Sequence, residues 1–180
     1  MRQLIRRRPA SLRRQGPRDA VSQADLEAQL HLALEVRDAI TRLTRTVLRL
    51  RDVRQQLLSR NQLIKSDPRA QDLVKASADL SQKLDTLEAK LQNPKAEIVY
   101  DILAQKGGAQ LYSRLSPLLD WVESGDGPPG EGLKEVFADQ QRELAARQAE
   151  LERLLTADLA PLNEAAGKLD LPRIYVPPGR

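Results

Sequence analysis

The sequence predicts an all-α fold: an elongated antiparallel bundle with coiled-coil-like heptad seams and long first and last helices. Three observations point there. Of the 180 residues 41% are hydrophobic but only five are aromatic, so the apolar content is mainly Leu, Ala and Val. Such residues fill seams between helices without large rings. Leucines recur at alternating threes and fours over long stretches, the period of a helix with one apolar face. The strongest breakers gather at a few places, Asp67-Pro68, Asn93-Pro94, Gly107-Gly108 and the run 124–130, and so divide the chain into helix-length pieces.

The first helix is announced by Ser22-Gln23-Ala24-Asp25, which has the form of a capping box: the serine hydroxyl accepts from an early amide and the acid reaches back to the serine N–H. Counting heptads from Leu26, one seam position holds Leu26, Ala33, Ile40, Val47, Arg54 and Asn61, and the other Gln29, Val36, Leu43, Leu50, Leu57 and Ile64. Nine of these twelve are apolar, more than a solvated helix carries. Leu30, Leu34 and Leu58 are expected to widen the stripe, suiting a helix with two neighbours. Residues 22–65 make a rod of roughly 65 Å.

Asp67-Pro68 restarts the chain, with aspartate as cap and proline at the first helical position, where its missing N–H had no partner. The second helix carries Leu73, Leu80, Leu84, Leu87 and Leu91 on one side. A tight turn between two heptad helices predicts an antiparallel hairpin. A short amphipathic helix is expected at 96–105, stopped by Gly107-Gly108. Another at 109–123 points Leu111, Leu115, Leu118, Leu119 and Val122 inward, bends at Pro117, and uses Tyr112 and Trp121 as packing residues. After the solvated linker 124–130, the last helix begins near Glu131, runs through Leu133, Phe137, Leu144, Leu151 and Leu155, and continues with a kink past Pro161 toward Leu169. Residues 171–178 then read as extended, able to lie against the bundle or add to the edge of a sheet.

Charge is distributed unevenly. Seven arginines against Asp19 put +6 in the first 20 residues, so a total of +4 leaves −2 on the remaining 160. The basic arm reads as a like-charged disordered tail, with a mitochondrial-type presequence or a polyphosphate-binding arm as alternatives. The chain thus divides into an arm at 1–20, a helical bundle at 21–170 and an extended tail at 171–180. Arg42, Arg45 and Arg49 share a helix face, followed by Arg51, Arg54 and Arg60, and are expected to pair with acids of the last helix rather than to bind an external anion.

Candidate chemistry is sparse. With no cysteine there is no disulfide, thiolate nucleophile or cysteine-ligated zinc. His31 is the single histidine and lacks a second ligand beside it. Glu35, Asp38, Glu150 and Glu152 lie among arginines, where ion pairing is the ordinary use. Glu123, Asp126 and Glu131 around the linker lack the ligand spacing of a calcium loop. No phosphate loop, nucleophile elbow or HExxH motif occurs. The expectation is a protein that is not an enzyme, with no catalytic residue, no metal and no cofactor. No apolar run reaches the roughly 18 residues of a membrane span, and no secretory signal is legible, so the expected location is cytoplasmic.

The run Pro17 to Gln29 (PRDAVSQADLEAQ), the long arginine-rich helix after it and the ending Leu159 to Pro177 (LAPLNEAAGKLDLPRIYVP) resemble the C-terminal helical region of large bacterial sortilin-like, BNR/Asp-box β-propeller proteins, often labelled glycosyl hydrolases. In that family the helices follow a propeller and a small β-sandwich, and relatives occur outside the cytoplasm. The propeller turns, Ser-x-Asp-x-Gly-x-x-Trp, have no counterpart in these residues, so no hydrolase residue carries over. The resemblance implies a non-catalytic interaction or stabilising module, a fragment of a larger protein whose first 16 or so residues come from a shifted reading frame. Its partners would be the propeller and β-sandwich portion of a parent, another helical protein or a second copy. Leu26, Ile40, Leu43, Val47, Leu50, Leu80, Leu84, Leu87, Leu144 and Leu151 are expected to carry the packing. The alternative is a basic-arm adaptor that binds nucleic acid or an anionic membrane through residues 2–18, with the bundle as an oligomeric base.

Overall fold

The structure, a computed structural model, describes residues 21–93, 108–125 and 127–178. Over these residues the protein is all-helical, without strands, and four helical rods pack together. The arm at 1–20 and the helix expected at 96–105 lie outside the described residues.

Helix α1 spans Gln23–Ile64. Its capping box is present: the Ser22 hydroxyl accepts from the Asp25 N–H at 3.1 Å, and the Asp25 carboxylate accepts from the Ser22 N–H at 3.0 Å. The Ser22 hydroxyl and amide together hold the Asp25 carboxyl below its ordinary range. A turn capped by Asp67, which accepts from the Arg69 N–H at 2.9 Å, leads through a 3-10 turn at Pro68–Ala70 into α2, Gln71–Leu91. Arg69 holds the Asp67 carboxyl low by its side chain and its backbone N–H.

Burial along α1 differs from the expected stripe. Val36, Leu43, Leu50, Leu57 and Ile64 are buried as foreseen, as are Ala33 and Val47 of the other expected row, but Leu32, Ala39, Thr46, Val53 and Arg60 form a further buried row. Leu30, Leu34 and Leu58 are exposed instead of widening the stripe, and Leu26 is 49% exposed. Neighbours explain the difference: Thr46 accepts from Gln148 of the last rod at 3.2 Å, and Arg60 donates to Ser77 of α2 at 3.0 Å. Among the described residues, helices therefore stand on that side of α1 and not on the side of Leu30. Thr46 and Arg60 read as polar, which concealed the row.

On α2, Leu73, Leu80, Leu84, Leu87 and Leu91 are all buried. Helix α3, Leu111–Glu123, runs through Pro117 and buries Leu111, Leu115, Leu118 and Val122. Tyr112 and Trp121 are not packing residues: both are exposed, Trp121 by 60%. Each follows or precedes a core residue by one position, about 100° off the buried face. Gln29, a polar residue at a seam position, caps the end of α3 by donating to Val122 O at 2.6 Å and Gly125 O at 3.0 Å.

Helix α4, Glu131–Arg153, passes into a π-helical segment, Leu154–Leu159, and then α5, Ala160–Lys168. Pro161 lies just past the π segment. It has no N–H, and its ring collides with the carbonyl four residues back in a regular helix. Widening the turns ahead of it lets the rod continue where a break or sharp kink was the alternative. Phe137, Leu144, Leu151, Leu155, Leu159, Leu162 and Ala166 line its inner side. The rod closes with the Leu171 N–H on Ala166 O at 2.9 Å and the Asp170 N–H on Gly167 O at 3.3 Å. That pairing places Asp170 at φ 53°, a left-handed conformation more usual for glycine.

Candidate functional site

Beyond α5 the chain is extended and lies between α1 and the last rod. It needs partners for its backbone, because no strand among the described residues stands beside it. Side-chain amides supply them. Asn163 of α5 accepts from the Ile174 N–H at 2.8 Å and donates to the Ile174 carbonyl at 3.0 Å. Gln56 of α1 accepts from the Tyr175 N–H and donates to the Tyr175 carbonyl, both at 2.8 Å. Each carboxamide thus copies one peptide group of an absent neighbouring strand, and consecutive residues are gripped from opposite sides. Ile174 is buried in the core, with Leu171 and Val176 packed beside it.

Arg60 anchors the start of this segment. It is only 4% exposed and has no carboxylate partner among the described residues. Its guanidinium donates to the Pro172 carbonyl at 3.3 Å and to the Ser77 hydroxyl at 3.0 Å. Burial pushes its pKa down from the ordinary arginine value. Sequence reasoning placed Arg60 in a charged stripe and did not single out Gln56 or Asn163. The available signal was an asparagine inside the final helix, where it is a poor helix former unless its amide has a task.

Farther along, Pro177 and Pro178 line a groove of about 530 Å³ with Arg42, Arg45, Arg49, Asp52 and Glu152. Arg49 pairs with Glu152, as the expected pairing with the last helix requires. Arg51 and Arg54 instead meet acids of α2: both bind Glu88, at 2.6 and 2.8 Å, and Arg54 also binds Asp85. Arg42 and Arg45 make no ion pair among the described residues. Burial works against ionisation of Glu88, but hydrogen bonds from Arg51 and Gln92 and the charges of Arg51 and Arg54 outweigh it and hold the carboxyl low. On the other flank Lys90 and Arg147 hold Glu150 low against a smaller effect of burial.

Of the ten expected packing residues, Leu43, Val47, Leu50, Leu80, Leu84, Leu87, Leu144 and Leu151 are buried in one core and Ile40 packs against it. Leu26 does not belong: it lies with Leu30 and Leu34 on an uncovered flank near the start of α1. His31 is exposed, 3.7 Å from Glu35. Among the described residues no cluster of three His, Cys, Asp or Glu side chains is placed to hold a metal, and no helix is long and apolar enough to cross a membrane.

The chain matches no protein-family model, no curated protein and no solved structure.

Proposed function

We propose that this chain is a non-catalytic helical interaction and stabilising module, an elongated antiparallel bundle with coiled-coil-like seams. In this reading it is similar to the C-terminal helical region of sortilin-like BNR-repeat propeller proteins and is part of a larger protein. The antiparallel arrangement is supported by partners that run in opposite order along α1 and α2: Arg51 with Glu88, Arg60 with Ser77, Asn61 with the Val74 carbonyl. The seams are supported by two buried rows on α1 whose members are seven residues apart.

The observation that carries the interaction role is the uncovered flank of α1. Leu26, Leu30 and Leu34 recur every fourth residue and all are exposed, Leu30 by 59%. Single exposed leucines are ordinary, but three on one helical face form a stripe that a partner helix or a parent domain would cover. Kinship with the propeller proteins rests on the residue runs at 17–29 and 159–177. An immunoblot of source cells and medium, using an antibody to residues 26–180, tests the reading. A band several times larger than 20.2 kDa is expected, and a single band at 20.2 kDa would overturn the larger-protein part of it. The rival adaptor predicts that deleting residues 2–18 abolishes partner binding; the interaction-module reading predicts that binding survives.

A further inference from the structure

We infer that the extended segment 171–178 is exchangeable, and that the groove it fills accepts the same segment from a second copy of the chain in a reciprocal dimer. The grip on the segment is mainly a grip on backbone. Asn163 takes both polar groups of Ile174, Gln56 both of Tyr175, and Arg60 the carbonyl of Pro172. Such recognition does not distinguish which chain supplies the strand, and the one fully buried side chain, Ile174, is supplied identically by any copy.

The connection into the groove favours exchange. To turn from α5 into its own groove the chain holds Asp170 at φ 53°, the one positive φ of a non-glycine residue among those described. An extended Asp170 relieves that conformation, at the cost of the hydrogen bonds that close α5. The next residue precedes Pro172, which steers Leu171 toward extended geometry in either arrangement. Extended residues 169–172 reach roughly 13 Å, enough for two copies with their α5 ends side by side to trade segments.

A vacated groove, in contrast, is unfavourable. Arg60 would lose its carbonyl, two carboxamides would lose paired backbone groups, and Ile174 would enter water. The segment is therefore replaced rather than released, and a second copy restores every one of these contacts. Two-fold exchange of one element is a short route to a closed dimer. None of this uses the Leu26–Leu30–Leu34 flank, so the dimer and the proposed function stand or fall separately.

The absence of cysteine makes the test clean. Asp52 and Pro177 line the same groove, one from α1 and one from the segment. Full-length Asp52→Cys and Pro177→Cys proteins are mixed at high concentration, warmed short of unfolding and treated with a short bismaleimide. A species of twice the chain mass joining positions 52 and 177 is expected. The double variant in dilute solution should link within one chain. If it does so while the mixture yields no such heterolink, the inference is overturned. Light scattering of the unmodified chain gives an independent readout. The dimer fraction should rise with concentration, and Asp170→Gly, which frees the closed turn of both copies of its strain, should weaken dimerisation roughly thirtyfold. A monomer at every concentration, or a dimer indifferent to Asp170→Gly, would also overturn it.

Discussion

The two ends of α1 are alike in sequence and opposite in situation. From Val36 to Ile64 the helix is flanked by α2, by the last rod and by the extended segment, and Val36, Ala39, Leu43, Leu50, Val53, Leu57 and Ile64 among its apolar residues are buried. From Gln23 to Leu34 it carries as dense a leucine pattern, yet Leu26, Leu30 and Leu34 face outward while Leu32 and Ala33 face in. Periodicity tells which residues share a face. Whether that face is covered depends on what is brought opposite it, and among the described residues α3, capped by Gln29, occupies only one side of the start of α1.

The largest effects of substitution should fall in the covered half. Leu50→Ala and Leu84→Ala, both in the α1–α2 core, should each lose about 2–5 kcal/mol in urea unfolding, since each leaves a cavity between rigid helices. Next come the carboxamides. Asn163→Ala strands the half-buried N–H and C=O of Ile174 and should cost about 1–3 kcal/mol, whereas Gln56→Ala leaves the exposed Tyr175 pair to water and should cost about 0.5–1 kcal/mol. Chymotrypsin cleavage after the exposed Tyr175 should accelerate in both variants, which a loss spread over the whole fold would not single out.

Glu88 makes the stability of the covered half depend on pH. Its folded pKa lies below the ordinary 4.5, because the Arg51 and Gln92 hydrogen bonds and the two arginine charges overcome burial. The unfolded state therefore takes up the proton first as pH falls. The stabilisation is fully present above about 4.5 and fades as pH drops through the lower folded value. Glu88→Gln should accordingly be less stable than the parent at pH 7, with the gap narrowing at pH 3 in paired denaturant melts. Smaller still is Ser22→Ala, which removes the cap of the uncovered end. A loss near 1 kcal/mol is expected, visible as faster amide exchange in the first turns. Leu30→Ala closes the series, within roughly 0.5 kcal/mol of the parent.

Much of the fold was legible because it is written in short-range chemistry. The capping box at Ser22, the Asp67-Pro68 restart and the five buried leucines of α2 follow from hydrogen-bonding geometry and a 3.6-residue period, which local sequence encodes. The second buried row of α1 was hidden because Thr46 and Arg60 count as polar until Gln148, Ser77 and Pro172 are found opposite them. Tyr112 and Trp121 were assigned inward on bulk alone, although their register places them one position off the face of Leu111 and Val122. The grip of Gln56 and Asn163 spans 119 and 11 residues of chain, and no periodicity reports a contact of that kind.

The proposed interface is the exposed Leu26–Leu30–Leu34 flank of α1, as distinct from Leu32 and Ala33, which belong to the core. Replacing Leu26, Leu30 and Leu34 together by serine tests it most directly, with unfolding of the purified chain and the native mass of the protein in source cells measured side by side. If that flank is an interface, the triple variant loses less than about 1 kcal/mol of stability while its native assembly shrinks. A triple variant that unfolds, or one whose assembly keeps its mass, would contradict it.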